Sequence, residues 1–176
     1  YGVSTLEEAI KFFSDAEFAK STHFSATHEL FSNVIEISGK RYVPNLNYEL
    51  DFKDVLGQET AKRACIIAAV GMHNILFEGS PGSGKSMCAK RLVYIMAPQS
   101  LEEVLKSAAY RSLNLQDSEF TSTRAFRSPH HTSTKSSIFG GGSNVAKIGE
   151  IALANGGVLF FDEFPHFAKQ VIESLR

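Results

Sequence analysis

Apolar and polar positions alternate differently in two parts of the chain. Between Thr5 and Phe13, Leu6, Ala9, Ile10, Phe12 and Phe13 recur at roughly helical spacing, with Glu7, Glu8 and Lys11 between them. Ser4 or Thr5 can cap that helix, and the acids suit its first turn. From about Ser14 to Leu50 the periodicity weakens. VIEI (Val34 to Ile37) followed by SGKRYV predicts a hairpin that turns near Ser38-Gly39, and Pro44 with two asparagines predicts a linker after it. From Asp51 the character changes. A turn at Gly57 precedes a helix from about Gln58 to Val70, stopped by Gly71. Asn74 to Glu78, NILFE, reads as a short buried parallel strand. KSMCAKRLVYIM is a helix ended by Pro98, and Leu101 to Tyr110 is a second amphipathic helix. VLFFDE is again a run of buried-strand type, and PHFAKQVIESLR closes as a helix. Strand and helix alternate, which predicts an α/β layered fold with a parallel sheet.

Two motifs sit at the ends of the predicted strands. Gly79-Ser80-Pro81-Gly82-Ser83-Gly84-Lys85-Ser86 fits G-x-x-x-x-G-K-[ST], between a strand and a helix. Its glycines let successive backbone N–H groups turn inward toward a phosphate, and the helix that begins near Gly84 adds its N-terminal dipole. Lys85 would set a compact positive charge on the β- and γ-phosphates, and the Ser86 hydroxyl would ligate Mg²⁺. The second motif is Asp162-Glu163, at the C-terminal end of Val158 to Phe161. In a doubly wound sheet that strand lies beside the phosphate loop, so Asp162 would hold Mg²⁺ and Glu163 could activate a water as general base. The adjacent acids favour hydrolysis over transfer to an acceptor hydroxyl.

Bulk composition adds limits. The 176 residues are 43% hydrophobic and 21% charged, with a net charge of −1, so the whole chain is not an electrostatic nucleic-acid binder. Cys65 and Cys88 make no disulfide framework and read as buried thiols of a reducing, cytoplasmic compartment. No apolar run approaches a membrane span, and no signal peptide is evident. The start at Tyr1 and the stop at Arg176 within a predicted helix suggest a piece of a longer protein.

These blocks together carry a family resemblance. DFKDVLGQETAKRACIIAAVGMHNILFEGSPGSGKS, FRSPHHT, GGG and GEIALANGGVLFFDEFPHF, from about Asp51 to Arg176, resemble the AAA+ ATPases of the magnesium-chelatase-like group. The resemblance implies a three-layer P-loop NTPase fold, with Gly79 to Ser86 as Walker A and Asp162-Glu163 as Walker B. It also implies ATP and Mg²⁺ as cofactors, and adenine packing against Val55, Leu56, Gly57 and Gln58. By the same likeness residues 1–50 would be the end of a Lon-like N-terminal domain plus linker, and 51–176 the first part of the ATPase domain. The implied activity is an ATP-driven ring motor, a hexamer, doing helicase or branch-migration work on DNA during transformation. The alternatives are a chelatase-like or chaperone-like ATPase that remodels a protein, and a module in which ATP only gates assembly. The family's sensor, arginine finger and helical lid match nothing within Tyr1 to Arg176, so this stretch alone is expected to bind nucleotide weakly. Where the family has a proline-rich step before GE, this chain has Asn144-Val145-Ala146-Lys147-Ile148.

Arg124 to Gly142, RAFRSPHHTSTKSSIFGGG, admits three readings. Its Ser and Thr content fits a linker, against which stand Phe126, Ile138 and Phe139. Adjacent His130 and His131 suggest a metal, but adjacent histidines share one tetrahedral ion poorly, and no Cys or carboxylate is near in sequence. The third reading is an insert between the two motifs, which in the resembled group projects into the pore of a ring. No acid occurs from Phe120 through Gly149, so Arg124, Arg127, Lys135 and Lys147 give +4 and are the candidate DNA-phosphate contacts. Gly140 to Gly142 would let its tip bend.

Overall fold

The computed structural model describes residues 5–21, 32–114, 120–142 and 147–175. The chain divides into two compact units, residues 1–32 and 33–176. In the first, α1 (Leu6–Ser14) and α2 (Ala16–Ser21) follow one another. Thr5 caps α1 as expected: its Oγ1 accepts from the Glu8 N–H (3.2 Å), and Glu8 Oε2 accepts from the Thr5 N–H (3.3 Å).

The second unit opens with the predicted hairpin. β1 (Ile35–Ile37) pairs antiparallel with β2 (Lys40–Val43), and the two-residue turn places Ser38 and Gly39 at φ 50° and 75°. Positive φ at both central residues matches the turn to the twist of its strands. β2 pairs in turn with β3 (Gln99–Ser100), through Val43 opposite Gln99. The hairpin is thus joined through β3 to the part of the chain that follows it.

A 3-10 turn (Phe52–Asp54) leads into α3 (Glu59–Gly71), and the phosphate-loop motif leads into α4 (Lys85–Ile95). Gly71 is the last helical residue of α3, and the left-handed cap after it is Met72, at φ 52°. Val55, Cys65, Ala69, Cys88 and Leu92 form one buried cluster, with Phe52, Ile75, Phe77 and Val158 packed against it. Buried Arg91 ties the turn to α4: its Nε donates to the Asp51 carbonyl (2.7 Å), and Nη2 lies 3.5 Å from Asp54 Oδ2.

The expected strand Asn74 to Glu78 has the side-chain alternation of a strand but no β-ladder among the described residues. Ile75 and Phe77 turn toward the α3–α4 cluster, while Leu76 between them is 83% exposed. Period-two burial selects a face, whereas a strand also needs a hydrogen-bonded neighbour. The parallel sheet that does form has two strands, β4 (Phe126–Arg127) and β5 (Val158–Leu159), with Phe126 opposite Val158 and Arg127 opposite Leu159. The described architecture is therefore helices around a two-stranded parallel sheet, plus a separate three-stranded antiparallel sheet.

In chain order α5 (Leu101–Leu113) precedes β4, α6 (Lys135–Phe139) and α7 (Glu150–Leu153) lie between β4 and β5, and a 3-10 turn (Phe164–His166) and α8 (Lys169–Ser174) follow β5. Ile138, fully buried, packs with Phe167 and Val171, and Phe139, Phe161, Ile172 and Leu175 pack against this second cluster. Burying an isoleucine is worth about 1.5–3 kcal/mol. That anchor is why the described part of the Ser/Thr-rich stretch folds onto the protein instead of trailing as a linker. No described helix is long and apolar enough to cross a membrane.

Candidate functional site

The phosphate-loop motif curls as its glycines require. Gly82 and Gly84 lie at φ 77° and 88°, a region costly for side chains with a Cβ. The Lys85 ammonium folds back over the loop, donating to the carbonyls of Gly79 (2.9 Å) and Ser80 (2.8 Å), with Ser83 Oγ at 3.5 Å. Ser86 is the second residue of α4, and its hydroxyl donates to Asp162 Oδ2 at 3.1 Å. Two motifs 76 residues apart in sequence therefore meet in space.

The donor chemistry suits the group the motif implies. Ser86 Oγ and Asp162 Oδ2 are hard oxygen donors within contact of each other, the ligand type that Mg²⁺ prefers. Neighbouring Glu163 is 61% exposed and has the left-handed backbone (φ 52°, ψ 44°) unusual for a residue with a side chain. Its N–H donates to Asp162 Oδ1 (3.1 Å), and its carbonyl accepts from the His166 N–H (2.8 Å).

The segment expected at adenine divides in two. Val55 is only 4% exposed and belongs to the core, while Leu56 is 89% exposed. Gly57 and Gln58 both have positive φ (65° and 59°), and Gln58 Nε2 donates to the Ser83 carbonyl (3.4 Å). This segment is thereby linked to the phosphate loop.

The four candidate DNA contacts separate even more sharply. Arg124 is buried: its Nε donates to the Ala97 carbonyl (2.8 Å), Nη2 to that of Pro98 (3.2 Å) and Nη1 to that of Gly156, and Nη1 also meets Glu103 Oε1 at 3.3 Å. The Glu103 carboxyl is held below its ordinary range. Burial opposes this, and the Ser100 N–H together with Arg124 outweighs burial. Arg127 grips Glu150 with two bonds, Nε to Oε2 (2.6 Å) and Nη2 to Oε1 (2.9 Å), and the Glu150 hydrogen bonds raise the guanidinium's already high pKa. The expectation that no acid offsets these charges is thus corrected: the partners come from Glu103 and Glu150, outside the acid-free run. Lys135, at the first position of α6, and Lys147 remain exposed.

The base of the insert is closed by backbone contacts. Gly141 and Lys147 form an antiparallel bridge, and Asn114 pairs with Ile148 like a strand residue, its Nδ2 donating to the Ile148 carbonyl and its Oδ1 accepting the Ile148 N–H (both 3.0 Å). Gly140 has φ 88°, and its backbone lies against Gly149 so closely that a methyl on Gly149 would overlap the Gly140 nitrogen. These glycines pack the base of the insert. Asn144 to Ala146, in the departure from the proline-rich step, lie outside the described residues.

Two histidines missing from the expected nucleotide site stand beside Glu163. His166 Nδ1 is 3.3 Å and His131 Nδ1 3.9 Å from Glu163 Oε2. His130 stacks on His131 with ring centroids 4.1 Å apart. The histidine pair thus does not converge on one ion: one ring turns to a carboxylate and the other supports it. The only sequence signal was the polar block FRSPHHT, whose partner is remote in sequence.

A glycine-curled loop with its lysine thus lies beside a serine that meets the acid pair following the parallel strand β5. Residues 51–176 match the family described as magnesium chelatase, subunit ChlI, an AAA+ type, and the chain belongs to that family. Over 178 aligned positions, 100% of this chain, it is 38% identical to the competence protein ComM of Haemophilus influenzae and covers 33% of that protein. It is 47% identical to the YifB protein of Salmonella typhimurium over 128 residues, which cover 72% of this chain and 25% of that one. An archaeal Lon protease from Archaeoglobus fulgidus is 41% identical over 51 residues, covering 29% of this chain and 8% of the protease. The chain therefore spans only 33% and 25% of the lengths of the ComM and YifB relatives.

Proposed function

We propose that this chain is the nucleotide-binding part of a Mg²⁺-dependent AAA+ ATPase subunit that works in a ring, a hexamer, on DNA. The observation that supports it most is the 3.1 Å hydrogen bond from Ser86 to Asp162, which joins the phosphate loop to the acid pair. The three-layer P-loop fold, the division at residue 50/51 and the cytoplasmic location belong to the same proposal. The family match supports the division by beginning at residue 51.

In this reading the loop N–H groups of Gly79, Ser80, Gly82, Ser83 and Gly84 surround the phosphates, Pro81 having none to offer. Lys85 exchanges its two carbonyl partners for phosphate oxygens. Ser86 and Asp162 would hold Mg²⁺, which supplies charge neutralisation along the phosphate chain. Glu163 accepts a proton from the attacking water. Leu56, exposed beside the Gln58–Ser83 link, offers an apolar face to adenine, while Val55 supports it from the core.

The DNA part rests on the name and likeness of the ComM relative and on Lys135 and Lys147, which are exposed. ATP turnover by the intact protein, measured with and without single-stranded and branched DNA at stated salt, tests it. Stimulation and salt-dependent binding are expected, and their joint absence would reject DNA as the substrate. Glu163→Gln is expected to keep ATP binding and stop hydrolysis. A Lys85→Ala protein that bound ATP normally would overturn the phosphate-loop assignment.

A second reading is a chelatase-like or chaperone-like motor that remodels a protein. The internal pairing of Arg124 with Glu103 and Arg127 with Glu150 favours it, because it removes half of the expected cationic surface. ATP turnover that responds to a protein partner and not to DNA distinguishes the two.

A further inference from the structure

Glu163 is held from more sides than a freely solvated acid would be. Its left-handed backbone is fixed at the N–H by Asp162 and at the carbonyl by His166. Its Oε2 is approached by two imidazole nitrogens, His166 Nδ1 at 3.3 Å and His131 Nδ1 at 3.9 Å. The two rings stand edge to face with centroids 6.1 Å apart, so they reach the same oxygen from different directions. They also come from different elements. His166 ends the 3-10 turn that begins one residue after Glu163, whereas His131 belongs to the insert, 32 positions upstream.

The His131 ring has its own support. It stacks on His130, whose Nδ1 meets Thr132 Oγ1 at 2.8 Å and accepts from the Thr132 N–H at 3.3 Å. Two residues further on, Thr134 caps α6, whose Ile138 is buried against Phe167 and Val171. A strained acid persists only where its surroundings over-determine it, and strain of this kind clusters where geometry serves a mechanism. A carboxylate that must meet one water at one angle gains from being held before the water arrives.

We propose that His131 and His166 are positioning residues for Glu163. They orient its carboxylate toward the water, and His131 makes that orientation depend on the insert. This rests on the reading of Glu163 as general base. The contacts use Nδ1, so asparagine, whose amide nitrogen falls near that position, can take the imidazole's place. Alanine cannot.

The test compares His131→Ala, His166→Ala, the double alanine variant and the two asparagine variants in the intact protein. ATP turnover and nucleotide affinity are measured separately, and thermal melts serve as a check on folding. The double alanine variant is expected to lose about tenfold in kcat, since small misplacement of a catalytic group has large effects. Nucleotide Kd should stay within about twofold, because among the described residues no hydrogen bond or ion pair joins either ring to the phosphate loop or the adenine-side segment. Asparagine should recover most of the loss. Unchanged kcat in the double alanine variant, or a change confined to Kd, overturns the proposal. Glu163→Gln separates the two failures. If it abolishes hydrolysis while the histidine variants turn over normally, only the positioning role is lost. If it hydrolyses ATP normally, the general-base reading falls and the positioning role falls with it.

Discussion

The Ser86 hydroxyl and the Asp162 carboxylate meet at 3.1 Å, although 76 residues separate them. Either side can therefore be probed through the other. Ser86→Ala and Asp162→Asn are each expected to weaken Mg²⁺-dependent ATP binding while leaving Mg²⁺-independent binding nearly unchanged. Titration calorimetry with and without the cation reads this directly. Equal loss in both conditions would show that the pair is structural only.

Arg124 and Lys135 were equivalent as charges in sequence and are opposite in structure. Arg124→Ala leaves the Gly156, Ala97 and Pro98 carbonyls without their donor, at a cost of about 2–3 kcal/mol. Lys135→Ala on the exposed end of α6 should change stability by no more than about 0.5 kcal/mol. Urea denaturation of the two variants measures the contrast.

If DNA is the substrate, its salt dependence belongs to the lysines. Removing Lys135 and Lys147 together should lower the log–log salt slope of binding by about 1–2, as expected for two lost phosphate contacts. Binding isotherms across a salt series give the slope. An unchanged slope places the DNA contacts elsewhere.

Cys65 is fully buried, and burial, reinforced by adjacent Cys88, pushes its thiol up to about 11 from 9.0. Its reaction with a soluble disulfide at neutral pH should be slow in the folded protein and fast in denaturant. The protonated thiol is favoured in the fold. Its contribution is therefore fully present below about 9, and is lost as pH rises from there through about 11. Melting temperatures across that window should fall, and Cys65→Ala should flatten the fall.

Gly149 lies against the Gly140 backbone without room for a side chain. Gly149→Ala is expected to cost about 1–3 kcal/mol, because the obstacle is main chain that cannot rotate away. Hydrogen exchange at Gly141 and Lys147, whose bridge closes the same base, reports whether the damage stays local.

The features legible in sequence were those decided within a few residues. The Thr5–Glu8 cap, the Ser38-Gly39 turn and the phosphate loop depend on local backbone conformation, which residue type controls. The Ser86–Asp162 meeting was legible because both motifs end apolar runs that the core must bury. The strand at Asn74 to Glu78 was half legible: alternation correctly turned Ile75 and Phe77 inward, but a ladder depends on a neighbour that alternation does not supply. Charge counting along Phe120 to Gly149 failed for a related reason. The acids that engage Arg124 and Arg127 lie 21 and 23 positions away, beyond any local window. His131 beside Glu163 was invisible for the same cause.

Buried Ile138 gives the insert one anchor for two ends. On one side of it, across the Thr134 cap, stands His131 at the Glu163 carboxylate; on the other, past Gly140, stands the Gly141–Lys147 bridge. The short helix between them therefore ties the surroundings of the acid pair and the base of the insert to the same buried side chain.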